Sequence, residues 1–331
     1  MNLRSLKNKC IDLLPIRVRH WYRMMLVQKS LLSTTSYHCH KDFEGKGTIV
    51  FFSDGRLMNT GLADKLRGII SLYQYAKYNK YPFRIYWNYP FELSDYLVPA
   101  DVNWQVIDIS DISDENSYPI VIESYYKSLN LQQKQEANNQ HLFFKYQLCF
   151  NKAKQYQVYT NAHWGINQYR TLFFELFKLH PRLESKLEKV MPYEEYVAMQ
   201  FRFRQLLGDF VDSAGGEILG EEERAIYIKN SIEEIKLIYR KHNCKILITT
   251  DSNCFLNEVK TLPFVLIVPG EISHSGIKSD FVSHYDKEFL DLFMLSRSIK
   301  IYQMHKDKMY YSGFPEAASL IGNVPLEIIE Y

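Results

Sequence analysis

The sequence predicts an α/β protein in two halves, each built on a mainly parallel sheet. Short apolar, β-branched or aromatic runs recur from residue 47 onward, stretches of helical period separate them, and the alternation restarts after residue 190. Strand, helix, strand in succession implies right-handed crossovers and parallel pairing. A length of 331 residues suits two compact domains at about 100–200 residues each. The expected divisions are a basic amphipathic segment 1–45, an N-terminal domain 46–190 and a C-terminal domain 191–331, with a cleft between the two domains.

Residues 1–32 hold seven Lys or Arg against the single acid Asp12, a net +6 in a chain of +2 overall, which leaves −4 on the other 299 residues. Ile11, Leu13, Leu14, Ile16, Trp21, Tyr22, Met24, Met25 and Leu26 lie between the basic residues. Such a mixture suits an interfacial anchor, aromatic and aliphatic groups entering the headgroup boundary while Lys and Arg meet anionic lipid. A basic helix packed on the body of the protein is the other reading. Gly47 to Ser53 reads as a buried strand, and Gly61 to Lys80 as a helix with Leu62, Leu66, Ile69, Ile70, Tyr73 and Ala76 on one face. Pro82 stops that helix, and Phe83–Trp87 is the next strand; weaker strands are expected at 104–107, 118–122 and 157–160. The Gln-, Asn- and Lys-rich stretch 124–157 reads as solvated helix or an insertion.

The second half is clearer. Tyr196 to Arg202 predicts a strand, 205–220 a glycine-containing loop, and Glu221 to His242 a helix with an acidic first turn and a basic last turn. Strands follow at 245–250, 264–268 and 299–303, with helices at 286–298 and 314–321 and a short one before residue 264.

Composition narrows the function. A net charge of +2 lacks the basic stripe of a nucleic-acid binder. No run approaches the ~20 apolar residues that cross a bilayer. The five cysteines are dispersed without a CxxC pair, as in a reduced cytoplasmic protein. His38-Cys39-His40 has poor zinc spacing and no second cluster, so no metal is expected. There is no GxSxG nucleophile elbow and no GxGxxG dinucleotide fingerprint.

In open α/β sheets, ligands sit beyond the carboxyl ends of the strands, and four places there carry unusual residues. Asn59-Thr-Gly61 opens the first helix, where glycine lets a ligand approach the backbone, or merely makes the turn. Gln200-Phe-Arg202-Phe-Arg204 ends a strand with two arginines at alternate positions, which would put both guanidinium groups on one face. Their planar forks suit phosphate, or make a pair of surface bridges to carboxylates. Thr249-Thr-Asp251-Ser252 offers hydroxyls and a carboxylate for ribose or sugar, or a cap for the next helix. In the stretch Tyr310 to Ile321, Ser312 and Gly313 cap the last helix ahead of Phe314 and Pro315, and its first amides suit phosphate or serve only as a capped end. No DxD-type pair stands at a strand end to hold a metal, so arginine and helix amides would have to neutralise a nucleotide diphosphate.

These four places, in this order, resemble the GDP-fucose-dependent fucosyltransferase superfamily, over roughly residues 47–325. Gly61-Leu-Ala-Asp-Lys-Leu-Arg-Gly68 looks like its early glycine-rich segment. Gln200-Phe-Arg202 stands where the family has His-x-Arg, whose arginine contacts the donor diphosphate, and Ile248-Thr-Thr-Asp251 matches its "ATD" strand end. Leu290-Asp291-Leu-Phe-Met-Leu-Ser296 resembles a late helix whose aspartate contacts guanine, and Tyr311-Ser-Gly-Phe-Pro-Glu-Ala-Ala318 resembles the segment at the diphosphate.

The resemblance implies a GT-B fold of two Rossmann-like domains facing across a cleft, no metal cofactor, and inversion at the anomeric carbon. It implies an enzyme, an inverting glycosyltransferase moving fucose from GDP-fucose to a surface glycan or lipid-linked oligosaccharide in polysaccharide biosynthesis. Arg202 would stabilise the leaving diphosphate, with Arg204 replacing the family's second arginine, and Ser312 and Gly313 completing the clamp. Asp209 and Glu217, in the 205–220 loop, are the expected bases for the acceptor hydroxyl. Asn59, Gly61, Gln200, Asp251, Ser252, Asp291, Ser312, Gly313 and Phe314 are the expected donor-binding residues. The family's histidine is Gln200 here, which keeps a different nucleotide sugar open. A catalytically silent nucleotide- or carbohydrate-binding protein is the rival of another class. The expected location is cytoplasmic, peripheral at the inner face of the cell membrane, with anionic lipid met through residues 1–32.

Overall fold

The computed structural model describes residues 16–34, 45–57, 60–106, 111–113, 115–122, 131–164, 168–192, 194–210, 216–272, 278–279 and 281–331. In chain order the first elements are α1 (Ile16–Thr34), β1 (Thr48–Ser53), α2 (Leu62–Asn79), β2 (Phe83–Trp87), β3 (Leu97–Pro99), β4 (Ser117–Ile122), α3 (Leu131–Phe150), β5 (Gln155–Thr160), α4 (Tyr169–Leu176), β6 (Phe177–Leu179) and α5 (Pro181–Val190). There follow β7 (Tyr196–Phe201), α6 (Glu221–His242), β8 (Lys245–Thr250), α7 (Asn253–Val259), β9 (Val265–Leu266), α8 (Asp286–Ser296), β10 (Lys300–His305), α9 (Gly313–Gly322) and β11 (Leu326–Glu330). The chain divides into two compact units, one of residues 1–60, 64–89 and 101–168, the other of 61–63, 90–100 and 169–331.

The first unit holds a parallel four-stranded sheet in the order β2-β1-β5-β4. Ile49, Val50, Phe51 and Phe52 of β1 are all buried, as a central strand covered on both faces requires. Met24, Gln28 and Leu31 of α1, at helical spacing, are buried, and Gln28 donates to the Tyr118 hydroxyl of β4 at 2.8 Å. The second half of α1 is therefore packed on the body of the protein, while Val18, Met25 and Leu26 stay exposed.

The second unit holds a parallel five-stranded sheet in the order β11-β10-β7-β8-β9, and the antiparallel pair β3-β6. Alternate residues of its three central strands, Val197, Met199, Phe201, Ile246, Ile248, Tyr302 and Met304, form one core with Tyr227, Ile235 and Ile238 of α6 and Phe255 and Val259 of α7. The opposite face meets α8 and α9. Glu221–Glu223 begin α6 and Arg240–His242 end it, and Asn243 closes it in the left-handed region.

Most expected elements form within a residue or two of their predicted limits, with three differences. Of the strand expected at 104–107, the described residues 104–106 hold a bridge between Gln105 and Ile85. The strand at 264–268 reduces to Val265–Leu266. The strand expected to reach Arg202 stops at Phe201, because the chain then turns, with Arg204 at φ +56°. The alternation argument for Arg202 and Arg204 therefore does not hold: both lie in the turn after the strand. Sequence periodicity also passed over α4, β6 and α5, which are too short to show a clear period, and β11, a half-exposed edge strand.

Candidate functional site

In the second sheet α6 carries the chain from β7 to β8 on one side, while β7's other neighbour is β10. The crevice beyond the carboxyl ends of β7 and β10 is therefore a topological switch point, the place where open α/β sheets bind ligands. Residues from both strand ends meet there. Tyr310 N donates to Arg202 O at 3.0 Å, tying the loop after β10 to the turn after β7.

Asp251 holds that turn from the other side. Its Oδ1 accepts from Phe203 N at 2.9 Å, and its Oδ2 accepts from Arg204 N at 2.7 Å and lies 3.2 Å from Arg202 Nη1. The carboxylate is 4% exposed, and burial raises its pKa against the pull of Arg202 and the two amides. The Arg202 side chain remains 19% exposed and lies over the Phe210 ring at 4.9 Å, while the Arg204 guanidinium lies over Tyr310 at 5.1 Å. Phe203, between them, is buried against Phe255 at 5.0 Å. The two arginines are thus carried on a turn fixed by hydrogen bonds, a charge pair and a core aromatic.

Beneath the turn runs a row of polar side chains. Gln303, Gln200 and Thr249 are laterally paired in β10, β7 and β8, so they share the face toward α8 and α9. All three are buried. Gln303 Nε2 donates to Ser312 O at 3.0 Å, joining the row to the start of α9, where the Ser312 hydroxyl accepts from Phe314 N at 3.2 Å. Gln200 Oε1 and Thr249 Oγ1 are buried without a protein partner. Each such atom costs about 1–3 kcal/mol, so two on adjacent strands below a helix N-terminus mark a place that water or a ligand completes.

The remaining expected residues fall as follows. Ser252 caps α7, accepting from Phe255 N at 3.1 Å. Asp209 Oδ2 accepts from the Ser252 hydroxyl at 3.0 Å and from Cys254 N at 2.7 Å, while its Oδ1 is buried without a partner. Glu217 is exposed and paired with Lys308 at 2.7 Å. Asp291 is buried on α8, and both its oxygens accept from buried Lys287 Nζ, at 3.0 and 2.8 Å. Its pKa is raised by burial, against the attraction of Lys287. Gly61 has open space where a Cβ would stand. Asn59 and the His38-Cys39-His40 run lie outside the described residues. Among the described residues no cluster of His, Cys, Asp or Glu is placed to hold a metal, and no helix is long and apolar enough to cross a membrane.

No protein-family model matches the chain, and no curated protein matches it. Solved structures do. The NodZ α-1,6-fucosyltransferase soaked with GDP-fucose is 15% identical over 87% of this chain and 95% of its own, with a TM-score of 0.53. NodZ from Bradyrhizobium is 16% identical over 87% and 96%, with a TM-score of 0.54. A mutant of Arabidopsis thaliana FUT1, in complex with GDP, is 13% identical over 91% and 74%, with a TM-score of 0.53. The fold is GT-B.

The strand pairing and hydrogen bonds around this crevice show which residues sequence reasoning passed over. Thr249 and Tyr310 were read only as parts of their motifs, and Gln303 was not singled out. The available signal was Gln303 itself, a polar residue in the apolar run Ile301-Tyr-Gln-Met304, at the same depth as Gln200 in its own strand. Lys287, one helical turn before Asp291, was readable as an i,i+4 partner.

Proposed function

We propose that the chain is a glycosyltransferase that moves a sugar from a nucleotide-diphosphate donor, in its best-supported form fucose from GDP-fucose, to a glycan acceptor, with inversion and without a metal. The observation that carries this is the Arg202–Arg204 turn, locked by Asp251 and Tyr310 beside the start of α9 and above two unpartnered buried acceptors. The likeness in fold to fucosyltransferases solved with GDP or GDP-fucose supports it. As the anomeric carbon–oxygen bond breaks, charge builds on the leaving diphosphate. Arg202 offers a fixed fork to that charge, and Ser312 and Gly313 offer the helix end.

A different base is the second reading. The position of the family's histidine carries the Gln200 amide, and both oxygens of Asp291 already accept from Lys287. The basic residues of 1–32, with Met25 and Leu26 exposed on α1, support peripheral attachment at the inner face of the membrane and a lipid-linked acceptor.

A melting panel with GDP, UDP, CMP and ADP tests the donor. GDP is expected to raise the Tm by several degrees, because a ligand that binds only the native state stabilises it. A preference for UDP would move the reading to another nucleotide sugar, and no response to any of the four would end it. Arg202→Ala is expected to lower turnover of GDP-fucose by roughly 100- to 1,000-fold, as for loss of one charge-stabilising donor, and turnover should survive EDTA.

A further inference from the structure

Helix α3 turns an apolar row outward. Phe143, Phe144, Gln147 and Leu148 are buried, with the Phe144 ring edge-on to Tyr75 of α2 at 4.9 Å and 5.0 Å from the Trp164 ring. On the other side Leu142, Tyr146 and Phe150 recur every fourth residue and so form one line along the helix. They are 56%, 50% and 69% exposed, and the rings of Tyr146 and Phe150 lie 4.3 Å apart. A helix that meets only water carries polar residues on such a face, so the solvated helix expected at 124–157 does not account for the row. Lys145 and Cys149 are exposed beside it, and residues 137–168 hold Lys145, Lys152 and Lys154 with no Asp or Glu. Helix α3 also adjoins α1. Both pack on the edge strand β4 and on each other, and Gln28 Nε2 donates to Gln147 Oε1 at 3.4 Å. Val18, Met25, Leu26 and Lys29 of α1 are exposed, and residues 13–41 hold no acid either.

We propose that the row of Leu142, Tyr146 and Phe150 is a second membrane contact, entering the headgroup boundary of an anionic bilayer beside α1. The inference rests on the membrane attachment proposed above for residues 1–32 and is independent of sugar transfer. Charge decides the occupant. A second copy seated on this row about a two-fold axis would meet the same patch of itself. Lys145 and the basic residues of α1 would then face their own counterparts, and like charges brought together oppose binding. Anionic lipid instead attracts them. The side chains also suit the boundary. A Tyr ring sits at headgroup level, Leu and Phe reach the first acyl carbons, and a Lys stem lies along apolar surface while its ammonium stays with phosphate.

The test sediments the full chain with vesicles of phosphatidylglycerol and phosphatidylcholine in equal parts, and with phosphatidylcholine alone. The combined variant Leu142→Gln, Tyr146→Gln and Phe150→Gln is expected to keep its Tm, since the row is exposed, and to bind the anionic vesicles about 100-fold more weakly. Phe150→Gln alone, the mildest change, is expected to lower binding about tenfold, and Lys145→Gln about fivefold. Binding of the combined variant within about threefold of the unaltered chain overturns the proposal. If the α1 charge substitutions release the chain while this variant stays bound, attachment runs through α1 only and the α3 contact falls. Equal binding of the unaltered chain to both vesicle types overturns the assignment to anionic lipid. Light scattering supplies the remaining outcome: a dimer that the combined variant converts to monomer would give the row to a second copy. An unaltered chain that binds neither vesicle ends the membrane attachment itself, and this inference with it.

Discussion

Asp251 gathers three donors, the amides of Phe203 and Arg204 and the guanidinium of Arg202. Its loss and the loss of Arg202 therefore have unequal effects. Asp251→Ala leaves two amides and a charge without their acceptor in a buried place, which is expected to cost roughly 3 kcal/mol. Arg202→Ala leaves the carboxylate both amides and is expected to cost less. Urea titration of the two variants checks the order: an Arg202→Ala chain less stable than Asp251→Ala would show that the guanidinium, and not the carboxylate, holds the turn. Asp251 was expected from the sequence as a contact for ribose or sugar. Its protein partners are readable only once β7 and β8 are paired, since the acceptor and its donors are 47 to 49 residues apart in sequence.

Helix α2 shows the same dependence at the next scale. Leu62, Leu66, Ile69, Ile70, Tyr73 and Ala76 predicted its buried face, and all six are buried. The sequence does not say why Gly68 stands in the middle of it. By helix propensity alone Gly68→Ala should stabilise by about 1 kcal/mol. The Thr160 carbonyl 2.2 Å from the new Cβ is backbone and does not yield as a flexible side chain would. Forcing the helix away from β5 is expected to reverse the sign, giving a net loss of roughly 1–3 kcal/mol. A melting curve decides it, and a rise in Tm would show that α2 does not lie so close to β5.

For the molecule as a whole, α1 sets how membrane attachment can be tested. Because Met24, Gln28 and Leu31 are buried, deleting residues 1–32 would strip part of the first unit's core and confuse unfolding with detachment. Replacing Arg17, Arg19, Arg23 and Lys29 with Gln removes four charges and leaves those buried residues in place. At about 1 kcal/mol per basic residue near an anionic surface, binding to phosphatidylglycerol vesicles is expected to fall by roughly two to three orders of magnitude. Sedimentation with vesicles measures it, and undiminished binding would defeat the anchor.

The sequence by itself determined the α/β class, the parallel strands and the long capped helix of 221–242, because periodicity, helix-end charge and Pro or Gly punctuation act between residues a few positions apart. It also pointed to arginines and a serine-capped helix near strand ends. Tertiary structure decided that β7 lies between β8 and β10. That order aligns Gln303, Gln200 and Thr249 in one row, brings Asp251 and Tyr310 to opposite sides of the arginine turn, and, through the separate pairing of β1 with β5, lets Ser71 staple α2 to the turn after β5. Strand order and these long-range hydrogen bonds depend on which distant segments pack together, and no local pattern of residues encodes that choice.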